Sequence, residues 1–384
     1  MSIDVPRTLV ITNDFPPRVG GVQRVVHSLV RELPPDRVTV LAPNWPGWRE
    51  HDDGEPYRIE RFPPTFLWPT RDLERKAWTL IREAGAEVVL FGHVVPAALL
   101  SRGLARRGVP SVALAHGAEY WETLVPGTAA VLRRATGGTQ RVAACSAFVG
   151  RTVRTVVPRG VPVSVLTPGA DVERFRPDLD PAGIRARYRL SDRPVISCVS
   201  RLVPRKGQDV LILAMEAIRR RVPNAALLIV GGGSYRKGLE ALAAAKAPPS
   251  SVYFAGEVPE DELPLHYAAG DVFAMPCRNR YLGLEVEGWG AVFQEAAACG
   301  KPTVAGNSGG AAEAVVDGET GLVVDGRHVG QVAEAAAGLL DDPQRAARMG
   351  KAGRARVERE YAWPVIAERL AGWLREAAQS ASRI

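Results

Sequence analysis

The sequence predicts an α/β protein of two domains, each a parallel sheet covered by helices. Three observations lead there. At 384 residues the chain exceeds what one hydrophobic core usually serves. Short apolar runs alternate with stretches of helical period, which argues for parallel strands joined by crossover helices. The alternation then restarts near residue 179, after an irregular stretch that carries two prolines and a glycine.

The first strand is Thr8–Thr12, followed by Asn13-Asp14-Phe-Pro-Pro17, the pair Gly20-Gly21, and Val22, Val25, Val26, Leu29, Val30 and Leu33 at helical spacing. Further strands are expected at Val38–Leu41, Glu87–Phe91, Ser111–Ala115, Val142–Cys145 and Val163–Leu166. The second series is Pro194–Ser200, a polar loop, a helix over Asp209–Ile218, then Ala226–Val230, Val252–Ala255, Asp271–Met275, Pro302–Ala305 and Gly321–Val324. The pattern therefore divides the chain into an N-terminal domain over 1–168, a hinge over 169–178, a second domain over 179–363 and a C-terminal helix over 364–384. In open parallel sheets the loops at the carboxyl ends of strands carry the ligand, so those loops are where chemistry is expected, facing one central cleft.

Composition narrows the class. The 46% apolar content suits a well-buried globular protein, and the 38 glycines and 30 prolines are spread along the chain as loop punctuation. Cys145, Cys198, Cys277 and Cys299 lie far apart, mostly in apolar runs, and read as buried, reduced thiols of a cytoplasmic protein. Met1–Arg7 lacks a basic segment followed by an apolar core, and the longest apolar stretch, Val88 to Leu100, is broken by Gly92, His93 and Pro96, so neither a signal peptide nor a membrane span is expected. The net charge is +7, and residues 1–168 hold 21 Lys and Arg against 15 Asp and Glu, so the basic excess is N-terminal. That excess fits an anionic partner or a solvated arginine-rich surface. Phe66–Trp78 mixes aromatics with Arg71, Arg75 and Lys76, which suits a helix lying on an anionic membrane, and no nucleic-acid signature stands beside it.

The most informative stretch is Gly283-Leu-Glu285-Val-Glu287-Gly288-Trp289-Gly290-Ala-Val-Phe-Gln-Glu295. It sets two carboxylates eight residues apart around a glycine-rich turn entering a helix. Glycines let backbone approach a ligand and present amides at a helix start, where a phosphate is favoured. Glu287 and Glu295 can accept hydroxyls on either side of that phosphate. Arg201 and Lys206, on the loop after the first strand of the second domain, bring two cations suited to a diphosphate. At about 4 Å and an effective dielectric near 20 each such pair is worth roughly 4 kcal/mol, against roughly 0.3–1 kcal/mol from a helix dipole.

Several weaker features keep two readings. Gly20-Gly21 fits a phosphate-facing loop or a tight strand-to-helix turn. Gly231-Gly-Gly233 allows close approach of a base or ribose, and Ser308-Gly-Gly310 with Glu313 repeats the theme of a small loop before a helix. His116 ends a strand and is either structural or catalytic; Asp14 either binds a hydroxyl or caps a turn. The only Asp-x-Asp, Asp178-Leu-Asp180, falls at the hinge exit, so no metal site is expected. A dinucleotide fingerprint and a Walker loop are missing, which removes dehydrogenase and P-loop readings.

Together these residues resemble the retaining glycosyltransferases of family 4, whose GT-B fold sets two Rossmann-like domains around a cleft. The resemblance spans nearly the whole chain: Gly20-Gly21, Pro168-Gly-x-Asp171-x-x-x-Phe175, Arg201 with Lys206, Glu287-x7-Glu295, and Tyr361-Ala-Trp363 before the last helix. Asn13–Pro17, Ser200–Asp209 and Phe273–Arg278 are most similar to the actinobacterial phosphatidylinositol mannosyltransferases within that family. The resemblance implies GDP-mannose as donor, a phosphatidyl-myo-inositol monomannoside as acceptor, retention of the α configuration by same-face substitution, no metal or other cofactor, and a peripheral position at the inner face of the plasma membrane. It assigns the diphosphate to Arg201 and Lys206, with Gly20 and Gly21 closing against it. The ribose goes to Glu295, the sugar to Glu287 with the amides of Gly288, Trp289 and Gly290, the active-site histidine role to His116, and acceptor contact to Asp14; Gly231 joins the donor set. Tyr281, Trp289 and Ala291 depart from the usual residues around the sugar turn, which opens donor or acceptor preference to change. The alternatives are another UDP- or GDP-sugar with another polyol, glycan or lipid acceptor, a sugar-nucleotide epimerase, and a non-catalytic nucleotide-binding module.

Overall fold

The structure, a computed structural model, describes residues 3–63 and 65–381. The chain forms two compact units, one over residues 1–168 and 363–384, the other over 169–362.

In the first unit the strands are β1 (Thr8–Ile11), β2 (Val38–Pro43), β3 (Arg58–Phe62), β4 (Val88–Phe91), β5 (Ser111–Ala115), β6 (Arg141–Ala144) and β7 (Val163–Val165). They form one seven-stranded sheet in the order β3-β2-β1-β4-β5-β6-β7, every pair parallel. The helices are α1 (Gly21–Glu32), α2 (Trp48–Asp52), α3 (Arg71–Ala84), α4 (Ser101–Ala105), α5 (Glu119–Leu124), α6 (Pro126–Thr136) and α7 (Ala147–Arg154). Every residue of β1, β2, β4 and β5 is buried, as expected of strands covered on both faces, and this explains why they read as unbroken apolar runs. β3 gave no such signal. Its sequence, Arg-Ile-Glu-Arg-Phe, is half-buried at the sheet edge, where Arg58 and Glu60 are tied to Glu83 and Lys76, and charge on an edge strand deters further pairing.

The second unit holds β8 (Val195–Val199), β9 (Ala226–Val230), β10 (Val252–Gly256), β11 (Val272–Met275), β12 (Thr303–Gly306) and β13 (Gly321–Val324) in the order β10-β9-β8-β11-β12-β13. Its helices are α8 (Ala182–Arg187), α9 (Gln208–Arg221), α10 (Arg236–Lys246), α11 (Leu263–Ala268), α12 (Ala291–Ala298), α13 (Val329–Asp341) and α14 (Pro343–Glu360). The last helix, α15 (Trp363–Ala381), belongs to the first unit, where Ile366, Ala367, Leu370, Ala371 and Leu374 bury one face. The last three residues of the expected 364–384 helix lie outside the described residues.

Two expectations need correction. Residues 169–178, read as a hinge, are packed into the second unit: the Arg354 guanidinium donates to the carbonyls of Val172, Phe175 and Ala298, and Ala170 N–H donates to Tyr361 O. Phe66–Trp78 is not one helix. α3 starts at Arg71 behind the N-cap Thr70, whose side chain accepts from Leu73 N–H at 3.2 Å, and Leu73, Ala77, Leu80 and Ile81 are buried within their own unit. The apolar face that a membrane would take is therefore already used. The four cysteines are buried and form no disulfide.

Candidate active site

The charged centre of the second unit is built where β8 ends. Gln208, at the start of α9, donates to Ser200 Oγ and to Arg201 O at 2.9 and 3.0 Å, which shapes the loop between them. Gly207 turns the chain into α9 at φ +80°, and a Cβ there would stand 2.1 Å from Pro276 O, so only glycine fits. The loop delivers Lys206, whose Nζ lies 2.7 Å from Glu287 Oε2, with both side chains under 10% exposed. Arg205 Nε stands 3.5 Å from the same oxygen, and its other arm reaches Glu285 at 3.4 Å. Arg201 is exposed on the same loop. Burial alone would raise the pKa of Glu287, but Lys206, Arg205 and Arg201 outweigh it and hold the carboxyl below its ordinary value. Lys206 and Glu287, assigned separate ligand roles from the sequence, are thus each other's partner.

Glu287 is also fixed through its backbone. Its N–H donates to Ser308 Oγ at 3.1 Å, Ser308 Oγ donates to Asn279 Oδ1 at 2.7 Å, and Gly310 N–H donates to Glu287 O at 2.9 Å. Gly309 sits at φ +53°, where a Cβ would fall 2.1 Å from that carbonyl. The Ser308-Gly-Gly310 loop therefore supports the Glu287 turn, a structural use. Gly290 caps α12 at φ +87°, and with Gly288 it brings the turn to the start of that helix.

Three predicted residues also have partners within the fold. The Trp289 indole is 4% exposed and packs against the Tyr361 ring at 5.7 Å, so its side chain faces the interior and only its backbone is on the turn. Gly231 is explained by the fold. At φ +126° its Cβ would stand 2.1 Å from Ser200 O, and its N–H donates to Gly256 O. Glu295 is buried, and the fully buried Tyr267 hydroxyl donates to its Oε2 at 2.5 Å.

The first unit gathers a second set of polar side chains at the carboxyl ends of β1, β4 and β5, three neighbours in the sheet. Asp14 Oδ1 accepts from Gln23 Nε2 at 2.6 Å, and Oδ2 accepts from His93 Nδ1 at 3.1 Å. His93 Nε2 lies 3.4 Å from Glu119 Oε1, and the His93 and His116 rings are 5.7 Å apart. Burial would lower the pKa of His93, yet Glu119 and Asp14 outweigh it and hold it at about 9, so His93 is an imidazolium at neutral pH. Burial and that neighbouring charge lower His116, which stays neutral. His116 Nε2 donates to Gly92 O at 2.9 Å, so its Nδ1 is left as an acceptor. Burial, with Glu119 beside it, lifts the Glu122 carboxyl to about 7. Gly20 precedes α1 and a Cβ there would meet Gln23 Oε1 at 2.1 Å, so this glycine protects the Gln23–Asp14 bond; Gly21 has open space around it.

Gln23, His93 and Glu119 were missed in the sequence. Each is a single polar residue without a motif, and only strand order makes them neighbours. Arg205 lies inside the Ser200–Asp209 stretch but has no role in the sequence reading, and neither does Arg278, which binds Asp209 in a fork at 2.9 and 2.6 Å.

Comparison with known proteins follows the same division. Residues 19–174 match the model of Glycosyltransferase Family 4, and residues 183–356 match that of Glycosyl transferases group 1. The GDP-mannose-dependent alpha-(1-6)-phosphatidylinositol monomannoside mannosyltransferase of Mycobacterium tuberculosis is 46% identical over 96% of this chain and 98% of its own length. The protein of the same name from Mycolicibacterium smegmatis is 44% identical over 97% and 100%. Among solved structures, Anabaena Alr3699/HepE in complex with UDP has a TM-score of 0.81 at 21% identity, over 96% of this chain and all of that one. Sucrose-phosphate synthase from Thermosynechococcus elongatus has a TM-score of 0.76 at 22% identity, over 97% and 100%. The fold is GT-B, and the chain belongs to the glycosyltransferase family that includes the GDP-mannose-dependent phosphatidylinositol monomannoside mannosyltransferases.

Proposed function

We propose that the protein is a retaining mannosyltransferase that moves mannose from GDP-mannose to the inositol of a phosphatidyl-myo-inositol monomannoside. The observation that carries the reading is the buried Lys206–Glu287 pair, with Arg205 and Arg201 on the same strand-end loop. The near full-length identity to the mycobacterial enzymes supplies the donor and acceptor.

The diphosphate binds Arg201 and Lys206, and as Lys206 turns to phosphate, Glu287 is released to accept hydroxyls of the mannose. The amides of Gly288 to Gly290 and the start of α12 face the same anion. Glu295, oriented by Tyr267, takes the ribose. The C1–O bond to the β-phosphate breaks, the inositol hydroxyl forms the new C1–O bond from the same face, and its proton passes to the departing phosphate oxygen. Fixed arginine, lysine and amide donors stabilise the charge that builds on the leaving diphosphate, the part a divalent cation plays in metal-dependent transferases. Asp14, held by Gln23 and the His93 imidazolium, receives the acceptor hydroxyls, and neutral His116 offers Nδ1 to the sugar.

The acceptor is a lipid, so the protein acts at a membrane surface, on the cytoplasmic face. No described helix is long and apolar enough to cross a bilayer. Contact is assigned to Trp68, 61% exposed, and to the exposed Arg71 and Arg75 of α3. Lys76 is paired with Glu60. Charge reversal at Arg71 and Arg75 is expected to abolish sedimentation with anionic vesicles, and unchanged sedimentation would remove this surface from the proposal.

The central experiment is transfer of radiolabelled mannose from GDP-mannose to phosphatidylinositol monomannoside, with excess chelator and a parallel panel of UDP- and GDP-sugars. A labelled dimannoside is expected. Consumption of another donor with no use of GDP-mannose would overturn the donor, and undiminished turnover by Glu287→Ala would overturn its role.

A further inference from the structure

One cluster of ligating side chains in the first unit is not used by the reaction. His27 on α1, His51 on α2 and Glu55 just beyond α2 each offer a donor atom, and the three atoms lie within 4.8 Å of one another. His27 Nε2 is 2.7 Å and His51 Nε2 3.7 Å from Glu55 Oε1, and the two rings are 5.4 Å apart. The side chains are 19%, 19% and 6% exposed.

A second observation points to a ligand. His51 Nε2 and Glu55 Oε2 are both buried with no hydrogen-bond partner. The nearest cation to Glu55 Oε2, Arg31 Nε at 3.9 Å, belongs to a side chain 59% exposed and free to swing outward. A buried polar atom left unpaired costs free energy and calls for a partner. Glu55 has the Tyr57 hydroxyl beside its carboxyl, but a plain His27–Glu55 hydrogen bond leaves His51 Nε2 unused, whereas a cation held by the three donors uses it. Two imidazoles and one carboxylate are a borderline donor set, suited to zinc and its neighbours and poorly suited to magnesium or calcium, which take oxygen.

We propose that His27, His51 and Glu55 bind one Zn²⁺ ion, with water as the fourth ligand, and that this ion staples α2 to α1. Phe15 stands edge-on to both rings, at 5.5 and 6.2 Å, and forms an apolar wall to the site. α2 has five residues, too few to be stable alone, and it is also tied to β3 by the Asp52–Arg61 ion pair at 2.6 Å. Phe15 follows Asp14, so the staple also steadies the loop that carries Asp14.

The test uses the full chain stripped of metal by chelator and titrated with Co²⁺, whose visible d–d absorption reports tetrahedral coordination, and in parallel with Zn²⁺ while melting is followed. Saturation at one equivalent and a rise of several degrees in Tm with Zn²⁺ are expected. His51→Ala and Glu55→Gln are expected to lose the Co²⁺ spectrum and the Zn²⁺ shift while keeping the wild-type circular dichroism; both sit outside the sheet, so the fold survives them. No cobalt spectrum and no Zn²⁺ shift in the wild-type protein would overturn the proposal. So would full binding by His51→Ala, which would place the ion elsewhere.

Discussion

Replacing Lys206 by methionine should destabilise the second unit by about 3 kcal/mol, and replacing Glu287 by glutamine as well should recover most of that loss. The pair is 2.7 Å apart with side chains 8% and 9% exposed. At an effective dielectric near 20 its attraction is about 6 kcal/mol, most of it offset by the cost of desolvating two charges. Removing one partner of a buried pair typically costs about 3–5 kcal/mol because the other charge is left uncompensated. Here Arg205 Nε remains 3.5 Å from the same carboxylate oxygen, which places the expectation at the low end. In Lys206→Met/Glu287→Gln both charges are gone, Arg205 keeps Glu285 at 3.4 Å, and stability should return to within about 1 kcal/mol of wild type. Glu287→Gln, which strands Lys206, should lose a similar amount, so a double-mutant cycle in urea, followed by tryptophan fluorescence and far-ultraviolet circular dichroism, reads the coupling as about 5 kcal/mol. Additive losses, or a single variant as stable as wild type, would refute the reasoning. Transferase activity should be lost in all three variants, the double one included, since both groups are proposed to contact the donor. The depressed Glu287 pKa makes this contribution present above the ordinary carboxylate range and lost as pH falls through the folded value.

Three further outcomes are expected. His93 has a folded pKa of about 9 against an ordinary 6.5, so its stabilisation is full below about pH 6.5 and disappears as pH rises through about 9. The shift sets an upper bound of roughly 3 kcal/mol on the loss, and chemical denaturation of wild type and His93→Gln from pH 6 to 10 should show it in the wild type alone. Gly309→Ala should cut mannosyl transfer sharply, because φ +53° and a Cβ 2.1 Å from Glu287 O force the turn to move; wild-type turnover by this variant would show that the turn is not the active element. Trp289→Ala should cost about 3–5 kcal/mol in urea, whereas Trp289→Phe should keep GDP affinity; loss of affinity at unchanged stability in Trp289→Phe would return the indole to the ligand site.

Much of the architecture was legible because buried parallel strands have no polar face. Ser111–Ala115, Ala226–Val230 and Gly321–Val324 read directly as strands with the observed bounds. β3 did not, because Arg58, Glu60 and Arg61 break up its apolar residues. Motif residues were found where several amino acids in a row share one function, as at Arg201–Lys206 and Glu287–Glu295. The meaning of single residues was harder. Trp289 lies two residues from Glu287, across the flexible Gly288, yet its indole is buried against Tyr361. Gly231 looked like a ligand glycine until the Ser200 carbonyl was found against it.

The sequence alone determined the class of the chain: two parallel α/β units, a glycine turn between two glutamates, and cations on a strand-end loop. Those follow from periodicity and local chemistry, which act over a few residues and can be read in order. Only the tertiary structure decided who meets whom. Lys206 is joined to Glu287 across 81 positions, Asp14 to His93 across 79, and Tyr267 to Glu295 across 28. Such pairings depend on which strands lie side by side. Strand order is set by the packing of the whole sheet, and no local stretch of the chain contains it.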